Sequence, residues 1–204
     1  VDMGYALWVG DQDATFAVMT AALNNMYQSD AYGYLSSGSD IGGYRTDNTY
    51  PTTGRSKELF IRWAQLGTFC GLMENGGGGE HRPWMFDQQT TDIYKKLVVM
   101  RDKYLVGYLL NSSKAARDQN KTMMKFFNST NYSYMLGSDI FVAPILAAGG
   151  SVTINFPSGN DKWVYLYDKT QVFNGGTSVT KTFPLEEFPV YIKQGTSTAD
   201  VLQP

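Results

Sequence analysis

The sequence lacks a marked excess of charge of either sign. Its 17 Lys and Arg and 19 Asp and Glu residues leave a formal net charge of −2, and no run of basic residues appears. Proteins that bind nucleic acids or anionic membrane surfaces concentrate Lys and Arg in one patch or segment. We therefore expect no nucleic-acid partner and no electrostatic binding to membranes.

Long apolar runs, paired cysteines and clustered histidines are missing as well. No stretch reaches the roughly 20 apolar residues that a transmembrane helix needs, so we expect no insertion into a membrane. Cys70 is the only cysteine and cannot form an intrachain disulfide, so it carries no information on redox compartment. His81 is the only histidine, without a second imidazole, a cysteine or a metal-spaced pair of carboxylates beside it. The sequence therefore predicts no metal site.

The start of the sequence also lacks familiar signals. Residues 4–9 are an apolar, strand-like stretch, with no initiating Met and no charged start of a signal peptide before them. We therefore expect further polypeptide before Val1. Clustered Asn-x-Ser/Thr tripeptides favour the secretory pathway, although such tripeptides also arise by chance, and a bacterial source would instead indicate the cytoplasm. These tripeptides begin at Asn111, Asn120, Asn128 and Asn131.

Aromatic residues, in contrast, are plentiful, with 4 Trp, 14 Tyr and 11 Phe. A flat apolar ring with a polar tip suits the face of a sugar ring, but the same rings also fill protein cores. Composition alone leaves both interpretations open and favours the core.

The first half of the chain alternates short apolar runs with helical patterns. Such alternation predicts parallel strands joined by crossover helices, and these units are too few to close an eight-stranded barrel. We therefore predict an α/β part, residues 1–110, that is the C-terminal portion of a (β/α)8 TIM barrel. The predicted strands are residues 5–9, 32–35 and 72–73, and the predicted helices lie at 16–26, 55–69 and 87–105.

The second half has a different pattern. Residues 111–133 are rich in Asn, Ser, Lys and Thr and are predicted to be a connector. Short runs of alternating apolar residues separated by Gly, Pro and Asn follow, as in an antiparallel β-sandwich. Residues 111–204 are therefore predicted to be a connector and an all-β domain. The predicted strands are residues 139–146, 151–156, 162–167, 178–183 and 188–193.

Polar residues that could take part in catalysis follow the predicted barrel strands. Asp11 ends the first strand and Asp40 ends the second, while His81 follows the third in a glycine-rich loop. Because active sites of barrels lie at the carboxyl ends of the strands, both carboxylates are expected in one pocket, where acid/base chemistry is possible. The alternatives are structural: Asp11 as a helix N-cap and Asp40 as a turn residue. The glycine run lacks the Lys-Ser/Thr that a phosphate-binding loop requires.

Several distinctive segments occur in a fixed order along the chain. Residues 8–12 read Trp-Val-Gly-Asp-Gln and residues 39–44 read Ser-Asp-Ile-Gly-Gly-Tyr. Residues 58–67, 134–144 and 189–195 continue the series. In this order the segments resemble glycoside hydrolase family 31, the family of α-glucosidases and α-xylosidases. The resemblance implies the C-terminal part of the catalytic barrel followed by the proximal β-sandwich.

The resemblance also implies a reaction, namely a retaining double displacement on an α-glycoside or oligosaccharide, without metal or organic cofactor. In such a reaction a carboxylate attacks the anomeric carbon while an acid protonates the departing oxygen, and the acid then acts as base toward water. Asp11 matches the family's general acid/base. Trp8, Asp40 and Tyr44 match positions around the bound sugar, as pocket wall, pocket floor and aromatic contact.

The sequence departs from the family pattern in two places. The family's nucleophile lies in a Trp-x-Asp-Met-Asn/Asp-Glu segment on an earlier strand, and this segment is absent from the sequence. Many members place Arg-Asn-His after the third strand, where residues 74–76 read Glu-Asn-Gly. His81 is the candidate to replace that histidine in substrate binding, with a purely structural role as the alternative.

Two hypotheses follow. The leading one is a fragment of a retaining α-glycosidase that acts on α-glucosides or related sugars, inactive alone because its nucleophile belongs to a preceding part of the same chain. The alternative is a non-catalytic carbohydrate-binding or structural remnant of such an enzyme. A nucleophile segment in the upstream coding sequence would favour the enzyme.

Overall fold

The computed structural model describes residues 6–45, 55–78 and 80–204. The first part of the chain consists of short strands and longer helices. Its elements are β1 (Leu7–Trp8), α1 (Phe16–Ala31), β2 (Ser37–Gly38), α2 (Lys57–Thr68), α3 (Pro83–Phe86), α4 (Gln88–Met100) and α5 (Val106–Asp118), with a π-helical turn (Arg101–Leu105) between α4 and α5. None of the helices within the described ranges is long and apolar enough to cross a membrane.

The strands of this first part pair in parallel. In the β1–β2 pair, Leu7 lies opposite Ser37. The third predicted strand is reduced to an isolated parallel bridge between Asp40 and Glu74. Strands joined in parallel through crossover helices are the repeating unit of a TIM barrel. Tyr5, which the sequence placed in the first strand, lies outside the described residues.

The second part folds into antiparallel sheets. Its elements are β3 (Met124–Phe126), β4 (Tyr134–Leu136), β5 (Ile140–Val142), β6 (Ser151–Asn155), β7 (Lys162–Tyr165), β8 (Asp168–Asn174), β9 (Ser178–Thr182), β10 (Val190–Lys193) and the short helix α6 (Ser197–Val201). Six strands form one sheet in the order β3-β4-β5-β10-β7-β8, and β6 pairs with β9 in a second sheet. Trp163 and Tyr165, at alternate positions of β7, are both buried.

Helix α2 forms as the sequence predicts. Its N-cap residue, Ser56, accepts a hydrogen bond from the Leu59 N–H, which satisfies one of the free donors at the helix start. Every residue from Leu59 to Thr68 is buried. Burial on all sides is typical of a helix in the middle of a structure rather than on its surface.

The surroundings of α2 explain this burial. On one side, Trp63 donates from Nε1 to the Ser39 hydroxyl, 2.8 Å away, next to β2. On the other side, Arg62 reaches the sandwich part and donates to the carbonyl oxygens of Phe183 and Glu187 at 2.7 and 2.8 Å. The helix therefore joins the barrel part to the sandwich part.

The second strand lies later in the chain than predicted. The sequence placed it at residues 32–35, whereas β2 comprises Ser37–Gly38. Helix α1 continues to Ala31, and the Tyr32 N–H still donates to the carbonyl of Gln28. Tyr32 is 78% exposed, so this aromatic residue belongs to a helix end and not to a buried strand.

The helical segment before the sandwich is longer than predicted. The sequence ended it near residue 105 and predicted a polar connector from residue 111, but α5 continues to Asp118. Tyr108 explains why a polar helix is held in place: its hydroxyl donates to the carbonyl oxygen of Leu136 in β4 at 2.8 Å. The predicted domain boundary at residues 110 and 111 thus falls within a helix.

Three strands of the large sheet were not predicted. β3 lies in the segment 111–133 that was predicted as a connector, β4 follows that segment directly, and β8 consists largely of partly or fully exposed polar residues. An edge strand with water on one side does not require the apolar alternation by which strands are recognised. The five strands that were predicted all occur, with shorter bounds.

Candidate functional site

The two candidate carboxylates follow neighbouring parallel strands. Asp11 comes shortly after β1 and Asp40 shortly after β2. Because β1 and β2 are parallel, the loops that carry these residues both begin at the carboxyl ends of the strands, on the same side of the sheet. The side chains are close enough that the negative charge of Asp11 contributes to raising the pKa of Asp40. The sequence therefore placed both residues correctly at one strand edge.

Asp40 lies deep in this site. It is 1% exposed, and the indole N–H of Trp8 donates to its Oδ2 at 2.8 Å. Burial raises the pKa of Asp40 above its ordinary value, while the hydrogen bond from Trp8 stabilises the carboxylate and partly opposes that rise. The sequence predicted Trp8 only as a wall of the pocket, and its bond to Asp40 is a further contact.

Asp40 is also a turn residue, so the structural alternative holds for its backbone. The Gly43 N–H donates to the Asp40 carbonyl at 3.0 Å, and Gly42 and Gly43 have φ values of 76° and 83°. Positive φ values of this kind favour glycine. The turn directs the chain away while the Asp40 side chain stays against Trp8.

Asp11 differs from Asp40 in being exposed. It does not cap α1, because the N-cap residue is Thr15, whose hydroxyl accepts from the Val18 N–H at 3.2 Å. The structural alternative for Asp11 is therefore excluded. Its carboxylate stands at the surface of the site, where a ligand can approach.

The backbone around Asp11 is held by neighbouring side chains. Gln12 donates from Nε2 to the Val9 carbonyl at 2.8 Å, and this bond closes the turn that contains Asp11. Arg45 donates from Nη2 to the carbonyl of Asp11 itself at 2.9 Å and pairs with Asp13 at 3.1 Å. Gln12 was named only as part of the segment of residues 8–12, and no role was predicted for Arg45, which belongs to no recognisable motif.

Tyr44 and His81 lie in loops that touch each other. Tyr44 is 39% exposed, and its carbonyl accepts from the Gly78 N–H at 2.7 Å. His81 places Nδ1 3.1 Å from Asn75 Oδ1 and Nε2 3.2 Å from the Gly78 carbonyl. Both neighbours are acceptor oxygens, so a neutral ring, which carries a single N–H, donates to one of them. This geometry gives His81 a structural function in the loop, and its role in substrate binding stays a prediction.

The electrostatics of His81 favour the neutral ring. Burial and, secondly, the positive charge of Arg55 lower the pKa of His81 to about 4, although the carbonyl of Gly78 acts in the opposite direction. Its imidazole is therefore uncharged near neutral pH. Among the described residues, no group of His, Cys, Asp and Glu side chains is arranged to hold a metal ion.

A large depression elsewhere in the molecule does not involve the candidate residues. It lies between the end of α1, α5 and the β3–β4 hairpin, with Asp30, Tyr108 and Lys125 among its lining residues. This is the end of α1 remote from Asp11. Its carboxylate, Asp30, already accepts hydrogen bonds from Thr122, Lys125 and the Phe126 N–H, so the strand-end loops are the better candidate for acid/base chemistry.

Comparison with known families identifies the chain. Residues 2–110 match the glycosyl hydrolases family 31 TIM-barrel domain, and residues 116–196 match the glycosyl hydrolase family 31 C-terminal domain. The chain belongs to glycoside hydrolase family 31. This confirms the resemblance inferred from the ordered segments, and with it the fold class: part of a TIM barrel followed by a β-sandwich.

Individual members of the family agree with this assignment. An α-xylosidase from Emericella nidulans is 27% identical over 94% of this chain and 26% of its own length. Alpha-glucosidase 2 from Bacillus thermoamyloliquefaciens is 28% identical over 95% of this chain and 25% of its own length. The chain thus spans about a quarter of the length of these two curated relatives.

A solved family 31 structure shares the fold. The crystal structure of an α-xylosidase from a soil metagenome, complexed with xylose, superimposes with a TM-score of 0.82 and 26% identity. The superposition covers 97% of this chain and 33% of the xylosidase chain. These three relatives are named as glycosidases, and the solved one is complexed with xylose.

Proposed function

We propose that this chain supplies the acid/base half of a retaining α-glycosidase site, with Asp11 as the general acid/base. The observation that carries the proposal is the contrast between the paired strand-end carboxylates. Asp11 is exposed, whereas Asp40 is 1% exposed and bonded to Trp8. A group that exchanges protons with a glycosidic oxygen and then with water must be reachable by both, and Asp11 meets this requirement.

The reaction proceeds in two steps. In the first, the Asp11 carboxyl donates its proton to the departing glycosidic oxygen, while a carboxylate from a preceding segment attacks the anomeric carbon and forms a glycosyl-enzyme. In the second, the Asp11 carboxylate takes a proton from water as the water oxygen attacks that carbon and releases the nucleophile. Two displacements on opposite faces return the sugar with its original α configuration.

The remaining site residues bind and shape. Asp40, 1% exposed and bonded through Oδ2 to the Trp8 indole, is proposed to form the pocket floor and to shape the hydrogen bonds around the bound sugar. Tyr44 and Trp8 present partly exposed aromatic rings, at 39% and 44%, that suit the apolar faces of a pyranose. The proposed substrates are α-glucosides or related sugars.

The role of Asp11 is tested with Asp11→Ala in the polypeptide that includes the preceding segment. An aryl glycoside with a good leaving group needs little protonation, whereas a disaccharide needs much. We expect cleavage of the disaccharide to fall more, by a further factor of about 10²–10⁴, the usual contribution of general acid/base catalysis. Azide, which needs no base, should rescue the variant and yield an α-glycosyl azide.

Asp40→Ala is the matched control. Its activity should fall without dependence on the leaving group and without rescue by azide, because Asp40 is proposed to bind and not to transfer protons. If Asp40→Ala shows the rescue and Asp11→Ala does not, the roles of the two carboxylates are reversed.

Because the sequence lacks the nucleophile segment, a second function is possible: a non-catalytic remnant of such an enzyme that binds carbohydrate. The sequence has no Trp-x-Asp-Met-Asn/Asp-Glu segment. The 204-residue chain alone should therefore not hydrolyse aryl α-glycosides under either candidate. Sequencing upstream separates the two, since only the enzyme requires a carboxylate on the preceding barrel strand.

A further inference from the structure

A buried arginine stands between the loops of the candidate site. Arg55 lies just before α2 and is 5% exposed. Its Nε donates to the Gly42 carbonyl at 2.7 Å and its Nη2 to the Gly43 carbonyl. From the opposite side, its Nη1 donates to the carbonyl of Glu80. One guanidinium group thus bonds to two separate loops.

The two loops contain the predicted sugar-binding residues. The Asp40 loop (residues 39–45) carries Asp40 two residues before the first carbonyl that Arg55 binds, and Tyr44 immediately after the second. The His81 loop (residues 74–78 and 80–82) carries His81 directly after the Glu80 carbonyl. Arg55 therefore links the segments that carry these groups, in addition to the direct bond from the Gly78 N–H to the Tyr44 carbonyl.

The choice of partners is informative. Within the described residues, the guanidinium of Arg55 donates to backbone carbonyls. Its planar set of N–H groups therefore fits a fixed backbone conformation and not a movable side chain. Burial lowers the pKa of Arg55 to about 10, which leaves it charged at neutral pH. A buried cation is costly unless hydrogen bonds compensate for lost water, and the carbonyls of both loops have this function.

Gly42 adds evidence that the chain is adapted to this contact. A Cβ at Gly42 would overlap the Cδ and Nε atoms of Arg55, and the φ value of Gly42 is +76°. Only glycine fits both the conformation and the space. The backbone of the Asp40 loop is therefore shaped to let the arginine pass beneath it.

We infer that Arg55 is a positioning residue that holds Asp40, Tyr44 and His81 in one arrangement by bonding the Asp40 loop to the His81 loop. It does not transfer protons and is not proposed to touch the sugar. Its effect on sugar binding rests on the proposed function, whereas its effect on the loops does not.

The single histidine makes the loop arrangement measurable without any activity. The imidazole resonances of His81 are unique in the spectrum of this chain, because the sequence has 1 His. We would titrate them by NMR in the wild type, in Arg55→Lys and in Arg55→Gln. Lysine retains the positive charge but cannot form the fork of bonds, so Arg55→Lys separates positioning from charge.

We expect the pKa of His81 in Arg55→Lys and in Arg55→Gln to rise from about 4 toward its ordinary value of 6.5, because the released loop exposes the ring. Arg82→Lys is the matched control: Arg82 lies in the same loop, but its side chain is 59% exposed and pairs with Glu80. This variant should titrate as the wild type does. An unchanged titration in Arg55→Lys would overturn the inference.

A second variant approaches the same contact from the other side. Gly42→Ala leaves Arg55 in the chain but displaces its side chain, so the His81 titration should shift in the same direction as in Arg55→Lys. This variant tests the inference if Arg55 substitutions prevent folding, and a wild-type titration of folded Gly42→Ala would contradict it.

Kinetics of the polypeptide with its preceding segment complete the test. Displacement of positioned groups by about 1 Å costs on the order of 100-fold, and we expect Arg55→Lys to lose that much kcat/KM. Most of the loss should appear in KM, with the same leaving-group dependence as the wild type. A wild type without glycosidase activity would refute the proposed function while the NMR result still decides the role of Arg55. Normal KM values in Arg55→Lys would refute its role in sugar binding.

Discussion

The barrel part and the sandwich part of this chain achieve order in different ways. In the barrel part β1 and β2 have 2 residues each, and the site groups stand in loops tied by hydrogen bonds from side chains to backbone carbonyls, as from Arg55 to Gly42. In the sandwich part, rings pack on rings: Phe141 lies 5.7 Å from Trp163 and 5.8 Å from Phe156, centroid to centroid. Directional bonds therefore hold the groups available for chemistry in the barrel part, whereas aromatic packing stabilises the sandwich part.

The first prediction, with the largest effect on folding, removes packing from the sandwich part. Phe141→Ala should lower the free energy of unfolding by about 3–5 kcal/mol, because a fully buried ring leaves a cavity among its neighbours. Urea denaturation measures the change. Tyr32→Ala, at a residue 78% exposed in the barrel part, is the control and should change stability by less than about 0.5 kcal/mol. Equal decreases in the free energy of unfolding for Phe141→Ala and Tyr32→Ala would show that the aromatic core does not contribute more to stability than the surface.

The second prediction concerns the joint between the two parts. Arg62 is 1% exposed, and its guanidinium donates to carbonyls of the sandwich part at Phe183, Pro184 and Glu187. Arg62→Ala should cost roughly 2–3 kcal/mol, since buried carbonyls lose charged donors. The two parts should then unfold in separate steps, seen as tryptophan fluorescence and far-ultraviolet circular dichroism transitions that no longer coincide.

Arg45→Ala is a suitable control for the joint, because it also removes an arginine that binds a backbone carbonyl but lies at the surface. Its side chain is 60% exposed, and its ion pair with Asp13 is solvent-screened. Unfolding should remain a single transition in Arg45→Ala. A single transition in Arg62→Ala would show that the parts are coupled by packing and not by Arg62.

The features that sequence predicted are those with local signals. The helices α1 and α2 have caps and apolar spacing within their own residues, and Asp11 and Asp40 have the strand-end position. β2 could not be found in this way. Its Gly38 lies so close to Leu72 that a Cβ would overlap the Leu72 backbone, so the strand consists of small residues and lacks an apolar pattern.

The contacts that organise the site join residues far apart in sequence. Arg55 binds the carbonyls of Gly42 and Glu80, and Trp8 binds Asp40 across 32 positions. Every residue has a backbone carbonyl, so the partners of an arginine that binds carbonyls cannot be recognised in the sequence. An arginine that pairs with an acidic side chain would at least have a recognisable partner. The glycine pair after Asp40 indicated a turn in the sequence, but not the arginine that packs against it.

The last prediction has the smallest effect and tests whether the site loops respond to pH. The pKa of His81 is about 4 in the folded chain and near 6.5 when unfolded. Between these values the unfolded state binds more protons, so the free energy of unfolding rises with pH. The contribution of His81 to stability is therefore complete above about pH 6.5 and is lost as pH falls toward 4.

His81→Gln should remove this contribution. Between pH 7 and pH 5 the urea midpoint of the wild type should fall by more than that of His81→Gln, because histidine is the only side chain with an ordinary pKa in this window. The variant His81→Gln in an Arg55→Lys background is a further test. In Arg55→Lys the loop is already released, so the imidazole should have the same pKa in the folded and unfolded states. Removing His81 from this background should then leave the pH dependence of the urea midpoint unchanged. If the urea midpoint of His81→Gln falls with pH as much as that of the wild type, the pH response arises outside the site loops. The barrel part and the sandwich part would then not differ in how protonation affects their stability.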